Sequence, residues 1–124
     1  MIFCTAVNCM DGRVQLPLIK FMQKRFNAGF VDIITEPGPN LILAKQTDTA
    51  MVESILRRMR LSVDAHASGA IALAGHYGCV GNPAGEEEQK QHLDNGVGLL
   101  RSQFETLPVI GVWIDSQWKV HEVM

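Results

Sequence analysis

Two short segments of the chain carry residue types that bind soft metal ions. The first, Cys9 to Arg13, contains a thiol, the carboxylate of Asp11 and a guanidinium. The second, His76 to Cys79, contains an imidazole and another thiol. Thiolate sulfur and imidazole nitrogen suit zinc, and three protein ligands leave the fourth tetrahedral position open, as in catalytic zinc sites. We therefore predict that Cys9, His76 and Cys79 bind one Zn²⁺ ion.

The sequence leaves two roles open for Asp11. As a fourth metal ligand, its carboxylate would close the site. Alternatively, Arg13 lies two residues further on and can hold the carboxylate in a charge-assisted, bidentate pair. One carboxylate cannot satisfy both partners fully, so Asp11 and Arg13 together predict a switch between a closed and an open metal site.

The remaining cysteine and histidines are not expected to join this site. Cys4 lies inside the first predicted strand and is interpreted as a core residue. His66, His92 and His121 lie in helical or edge segments without neighbouring donors, so we interpret them as ordinary core or surface histidines. The glycines around His76 have neither P-loop nor dinucleotide-binding spacing, which argues against a phosphate loop.

Hydrophobic patterning predicts the elements that position the two segments. Short apolar runs predict four buried strands, at residues 2–8, 30–35, 70–74 and 107–115. Helical spacing predicts three helices, at 14–27, from a cap at Thr47 or Asp48 to a stop at Gly69, and at 86–104. Alternation predicts an edge strand at 118–123, and residues 37–40 are predicted to form a turn.

This order of elements predicts an α/β fold of three layers. Strands that alternate with helices imply right-handed crossovers and a mainly parallel sheet with helices on both faces, here with an antiparallel edge strand. In the strand order 2-1-3-4, the first and third strands are neighbours, and the winding direction reverses between them. Ligands bind at such a reversal, beyond the carboxyl ends of the strands. Because Cys9 follows the first strand and His76 the third, we expect the two segments to meet there.

Bulk properties narrow the class of protein. Residues 1–124 are predicted to form a single domain, because this is an ordinary domain length. A net charge of −2, with acidic and basic residues well mixed, argues against partners such as nucleic acid or an anionic membrane. No apolar run approaches the roughly 20 residues that span a bilayer, and the first residues do not read as a signal peptide. Three cysteines, an odd number, predict a reducing, cytoplasmic location.

The two motifs together resemble the signature of the β-class carbonic anhydrases. In that family, Cys-x-Asp-x-Arg follows the first strand and His-x-x-Cys follows the third. Both occur here in that order, at Cys9 to Arg13 and at His76 to Cys79. Residues 108–123 are similar to the family's last parallel strand and the following edge strand, so the resemblance covers essentially the whole chain.

The resemblance implies a lyase (carbonate dehydratase) activity, the zinc-dependent reversible hydration of carbon dioxide to bicarbonate, or a related small-molecule hydration. It implies that Cys9, His76 and Cys79 are the zinc ligands and that Asp11 and Arg13 form the catalytic dyad. A homodimer or a higher homo-oligomer is also implied. Retention of the dyad favours an enzyme, since a purely structural zinc site has no need of it.

Several positions depart from the family's usual pattern. Gly12 stands where serine is common, Val80 where glycine is usual, and residues 36–40 replace a glycine-rich segment. Because Cys9 lies near the start of the sequence, we expect the helical arm that usually precedes this core to be missing. These departures favour a second hypothesis, a non-catalytic zinc-binding protein in which Asp11 occupies the fourth position on the metal and closes the site. A cysteine-based redox role is a third hypothesis, although no Cys-x-x-Cys pair is present.

Overall fold

The chain forms one five-stranded sheet flanked by four helices, and the computed structural model describes all residues from 1 to 124. The strands are β1 (Phe3–Cys9), β2 (Phe30–Glu36), β3 (Ile71–His76), β4 (Val109–Ile114) and β5 (Val120–Glu122). The helices are α1 (Gln15–Phe26), α2 (Pro39–Lys45), α3 (Thr49–His66) and α4 (Glu86–Gln103), and a single 3-10 turn at Gly12–Val14 leads into α1.

The order of the strands in the sheet is β2-β1-β3-β4-β5. The first four strands are parallel, and β5 pairs with β4 in the antiparallel direction. The predicted α/β class, the order 2-1-3-4 and the antiparallel edge strand are therefore confirmed. The winding direction reverses between β1 and β3, as the predicted topology requires.

The hydrophobic core lies on both faces of the sheet. On one face, α1 packs Leu18 and Met22 against side chains of the central strands, and Cys4 is buried there as predicted. On the other face, the remaining helices pack residues such as Leu43 and Ile55 against the opposite side of the same strands. The central strands are buried from both sides, which explains why most of their residues are apolar.

Helix α2 is an element that the sequence analysis did not predict. Residues 37–40 were expected to form only a turn, but α2 begins at Pro39, after Gly38 in the left-handed conformation with φ of 59°. Proline at the first helical position has a preset φ and needs no backbone N–H, so it starts a helix as readily as it continues a turn. The order of elements therefore contains one more helix between β2 and β3 than expected.

Helix α3 begins as predicted and ends earlier than predicted. The side chain of Asp48 accepts a hydrogen bond from the backbone N–H of Met51 at 3.1 Å, which makes it the N-cap. The helix is ended by Ala67, which adopts φ of 52°, and Gly69 lies beyond it. None of the four helices combines the length and hydrophobicity needed to cross a membrane.

Three strands extend further than predicted at their carboxyl ends: β2 by one residue, to Glu36, and the first and third strands at the metal centre. The patterning placed the end of the first strand at Asn8 and the end of the third at Ala74. In the structure Cys9 is the last residue of β1 and His76 is the last residue of β3. Both residues therefore have backbones held by the sheet ladder, which makes them more rigid than loop residues.

Candidate metal centre

Cys9, His76 and Cys79 meet at the carboxyl ends of two neighbouring strands. Cys9 ends β1 and His76 ends β3, and these strands pair in parallel. Cys79 lies in the loop after β3, where Gly78 adopts φ of 67° and turns the chain back. That left-handed conformation favours glycine, because glycine has no Cβ to clash with the backbone. The structure thus brings the three predicted ligands together.

The spacing of the three side chains fits a single metal ion. The sulfur atoms of Cys9 and Cys79 lie 3.8 Å apart. Two sulfurs bound to one tetrahedral zinc at about 2.3 Å each would be separated by about 3.8 Å. The possible ligand atoms of Cys9, His76 and Cys79 all lie within 4.8 Å of one another, and all three residues are buried.

The imidazole of His76 is held in the form that binds a metal. Its Nδ1 lies 2.8 Å from the backbone carbonyl of Tyr77, which can only accept, so Nδ1 carries the proton. Its Nε2 then carries a lone pair, and this buried atom has no hydrogen-bond partner. Burial lowers the pKa of His76, which favours the neutral ring. An unpaired buried nitrogen is costly, and a metal ion at this position would satisfy it.

The thiol of Cys79 accepts a hydrogen bond from the backbone. The N–H of Asn82 donates to its sulfur at 3.2 Å. Burial raises the pKa of the Cys79 thiol, and this N–H opposes the increase by stabilising the thiolate. A metal ion would have to displace the proton, so binding at this site is expected to weaken as the pH falls.

Asp11 pairs with Arg13 and does not belong to the cluster of ligand atoms. The guanidinium donates from Nη2 to Oδ2 at 2.7 Å and from Nε to Oδ1 at 3.1 Å, and the backbone N–H of Arg13 donates to Oδ1 at 2.9 Å. The side-chain hydrogen bond from Arg13 is the main reason why the pKa of Asp11 is lowered to about 2. Of the two roles that the sequence left open, the structure shows the ion pair. Ligation of a metal by Asp11 stays a prediction.

Gln15 holds the backbone of Cys9 and Asp11 by hydrogen bonds. Its side-chain amide nitrogen donates to the carbonyl of Cys9 at 2.7 Å and to that of Asp11 at 2.8 Å. Its oxygen accepts from the side chain of Asn8 at 3.3 Å. Gln15 was not predicted as a site residue, because a glutamine at the start of a helix carries no signal of this contact.

Gln89 holds the backbone of His76 by hydrogen bonds, from the other side of the sheet. Its amide nitrogen donates to the carbonyls of His76 and Asn82 at 2.9 and 3.1 Å. Its oxygen accepts from the backbone N–H of His76 at 3.3 Å and from the side chain of Asn40 at 3.1 Å. A Cβ at Gly75 would lie 2.7 Å from that Asn40 side chain, so this close approach requires glycine. The sequence carried one signal of the network, a glutamine on the apolar stripe of α4.

The other three histidines lie outside the cluster, and each has a partner that the sequence did not reveal. His66 contacts Asp32 at 2.6 Å, and His121 contacts Asp115 at 2.7 Å. The Nδ1 of His92 lies 3.0 Å from the side chain of Asn82. Among the histidines, only His76 has a buried ring nitrogen without a partner.

Comparisons with known proteins agree with this architecture. Residues 1–124 match the family model described as "Putative carbonic anhydrase". Among solved structures, a tetrameric β-carbonic anhydrase from the filamentous ascomycete Sordaria macrospora is similar in fold, with a TM-score of 0.64 and 17% sequence identity, over 97% of this chain and 79% of that chain. The comparison with curated proteins gives no match. Because the family model covers the whole chain, this protein belongs to the carbonic anhydrase family, as a divergent member with the β-class fold.

Proposed function

We propose that this protein binds one zinc ion through Cys9, His76 and Cys79 and catalyses the reversible hydration of carbon dioxide to bicarbonate, or a related small-molecule hydration. The observation that carries the proposal is the pairing of Asp11 with Arg13. Three ligands are clustered, and the one carboxylate able to complete a four-ligand set is held by the guanidinium. Three protein ligands are the number found in catalytic zinc sites.

Asp11 and Arg13 have separate roles in the proposed reaction. When bound, zinc supplies a Lewis acid that makes water acidic enough to act as a nucleophile near neutral pH. The carboxylate of Asp11, with a pKa of about 2, is ionised throughout the neutral range and can only accept hydrogen bonds. It is therefore suited to accept the hydrogen of the attacking water and to orient its lone pair. Arg13 holds that carboxylate and adds positive charge where bicarbonate forms.

The alternative, a metal site closed by Asp11, requires the pair of Asp11 and Arg13 to break. For Asp11 to become a metal ligand, its carboxylate must give up its hydrogen bonds to the side chain and the backbone of Arg13. The guanidinium would then lose its acidic partner. The paired arrangement therefore supports an enzyme better than a permanently closed zinc-binding protein.

We also propose that a second copy of the chain covers the metal centre, in a homodimer or a higher oligomer. A large apolar residue directly follows each ligand, and all three are exposed: Met10 at 63%, Tyr77 at 56% and Val80 at 92%. Such a patch is typical of a surface that packs against another protein. The Sordaria macrospora enzyme is tetrameric, which supports a homo-oligomer. The cytoplasmic location stays a proposal, based on the odd number of cysteines in the sequence.

A stopped-flow assay of carbon dioxide hydration on zinc-loaded protein tests the proposed activity, over about pH 6.5 to 9. We expect activity in the wild type and a loss of about 100-fold or more in Asp11→Asn and in Arg13→Gln. Asp94→Asn and Arg57→Gln remove the same charges from exposed helical positions and should leave the rate unchanged. A zinc-loaded wild type without activity at any pH in this range would instead indicate the non-catalytic zinc-binding protein.

A further inference from the structure

The guanidinium of Arg13 has a second contact, which neither the family match nor the ion pair explains. Its central carbon lies 4.6 Å from the centre of the indole ring of Trp118. The guanidinium nitrogens donate to Asp11 while the central carbon lies over the ring, so the two interactions can be made together. The side chain of Arg13 is 54% exposed. An exposed ion pair alone holds its partners weakly, because water screens the charges and both side chains lose entropy.

The backbone of Trp118 adopts an unusual conformation. Its φ is 63°, in the left-handed region that bulky residues avoid. The structure has three other non-glycine residues with positive φ, Asn27, Gln46 and Ala67, and each of them ends a helix. Trp118 ends no helix, so helix capping does not account for its conformation. Strain of this kind persists only where the surroundings impose it, and such sites often serve a function.

The turn between β4 and β5 imposes this conformation through Asp115. Its carbonyl accepts from the N–H of Trp118 at 2.9 Å, and its Oδ1 accepts from the N–H groups of Gln117 and Lys119 at 2.9 and 3.0 Å. Its Oδ2 is 2.7 Å from Nε2 of His121. The indole also packs against the core on the α1 face of the sheet. The backbone of Trp118 and the packing of its ring are therefore held by contacts that do not involve Arg13.

We propose that Trp118 is a positioning residue, which holds the guanidinium of Arg13 in its pair with Asp11 and thereby keeps that carboxylate away from the metal ligands. The proposal rests on the proposed function, because it concerns the dyad of the same site. A fixed ring limits the directions in which an exposed arginine can swing. Without the ring, Arg13 samples solvent-directed rotamers, and Asp11 is released for part of the time.

The order of the Arg13 side chain tests this role directly. Nitrogen-15 relaxation of the Arg13 Nε–H group is measured on the zinc-loaded full chain. We expect an order parameter of about 0.85 in the wild type and below about 0.6 in Trp118→Leu, which keeps apolar bulk but removes the aromatic face. Trp118→Phe, which keeps a smaller aromatic face, should give an order parameter between these two values. Phe26→Ala, which removes the ring under Arg25 at the far end of α1, should leave Arg13 unchanged.

Unchanged order at Arg13 in a folded Trp118→Leu variant would overturn the proposal. If that variant does not fold, the comparison of Trp118→Phe with the wild type decides, because the smaller ring should leave Arg13 measurably more mobile.

The hydration assay separates this role from the proposed function. Trp118→Leu should lower kcat/KM by about tenfold. If the wild type hydrates no carbon dioxide but Trp118→Leu still loses order at Arg13, the proposed function is rejected and the positioning role is kept. If the wild type is active and Trp118→Leu changes neither the order nor the rate, the positioning role is rejected and the proposed function is kept.

Discussion

At the scale of single residues, the metal centre depends on the contrast between His76 and the other histidines. His66, His92 and His121 each use a ring nitrogen in a contact with a neighbouring side chain. His76 uses Nδ1 for the carbonyl of Tyr77 and leaves Nε2 buried without a partner, beside two thiols. The protein tolerates this arrangement most readily if a metal ion completes it.

Removal of one thiol should therefore remove the metal. Elemental analysis of the purified wild type should find about one zinc per chain, and Cys79→Ser should lose most of it, because a hydroxyl is a poor zinc ligand. Cys4→Ala is the matched control, since Cys4 is buried in the core away from the cluster and burial raises its thiol pKa to about 11. Full zinc content in Cys79→Ser would refute the ligand assignment.

The ion pair predicts an unusually acidic carboxyl group at Asp11. Its folded pKa of about 2 lies below the unfolded value of about 3.9, so the pair contributes stability above about pH 4. That contribution is lost as the pH falls through about 2, and the pair persists throughout the neutral range. Carbon-13 titration of the Asp11 carboxyl group should give a midpoint near 2 in the wild type and near the ordinary value in Arg13→Gln. The same ordinary midpoint in both proteins would show that the pair does not form in solution.

At the scale of secondary-structure elements, two glutamines connect the ligands to the helices. Gln15 holds β1 to the start of α1, and Gln89 holds the end of β3 to α4. Gln89 is buried and donates hydrogen bonds to backbone carbonyls on both sides of the Cys79 loop. The loop that presents Cys79 is therefore positioned from within the core.

Replacement of Gln89 by leucine should disturb the metal centre without touching a ligand. The buried carbonyls of His76 and Asn82 lose a donor, at a cost of about 1–3 kcal/mol in the free energy of unfolding. Zinc affinity should fall by about 10- to 100-fold, as for other residues that orient metal ligands. Denaturant unfolding and competition with a zinc chelator measure the two effects. Gln91→Leu, at an exposed position on the same helix, should change neither, and equal effects in both variants would reject the role of Gln89.

The sequence predicted the main elements because their patterns are local. The buried strands and the helices α1, α3 and α4 follow from apolar runs and helical spacing, and the two motifs identified the clustered residues. Helix α2 was missed because Pro39 and its neighbours are also typical of a turn. The contacts of Asn40, Gln89 and Trp118 join segments far apart in the chain, so no local pattern could reveal them. Side-chain geometry at Asp11 was likewise undecided, since both its partners were plausible from spacing alone.

At the scale of the whole molecule, the fold explains why two distant motifs can form one site. The reversal of winding between β1 and β3 places the ends of both strands together, as in other open α/β sheets. Identity to the Sordaria macrospora enzyme is only 17%, yet the fold extends over 97% of this chain. The fold is therefore shared despite extensive divergence in sequence.

The exposed apolar residues beside the ligands predict self-association. Light scattering after size-exclusion chromatography should give a mass of at least twice the 13.7 kDa of one chain. Val80→Asp should shift the protein toward the monomer, because a charge in an apolar interface carries a large desolvation cost. Leu61→Asp, at an exposed apolar residue on α3 away from the ligands, is the control. A wild type of 13.7 kDa at every concentration would contradict the assembly.

X-ray absorption at the zinc edge of the purified wild-type protein is the decisive experiment, because it reports the atoms bound to the metal. We expect two sulfur ligands at about 2.3 Å, from Cys9 and Cys79, and one imidazole nitrogen at about 2.0–2.1 Å, from His76. One further light atom should complete a tetrahedral set. Zinc bound without sulfur, or a protein that does not bind zinc at all, would contradict it.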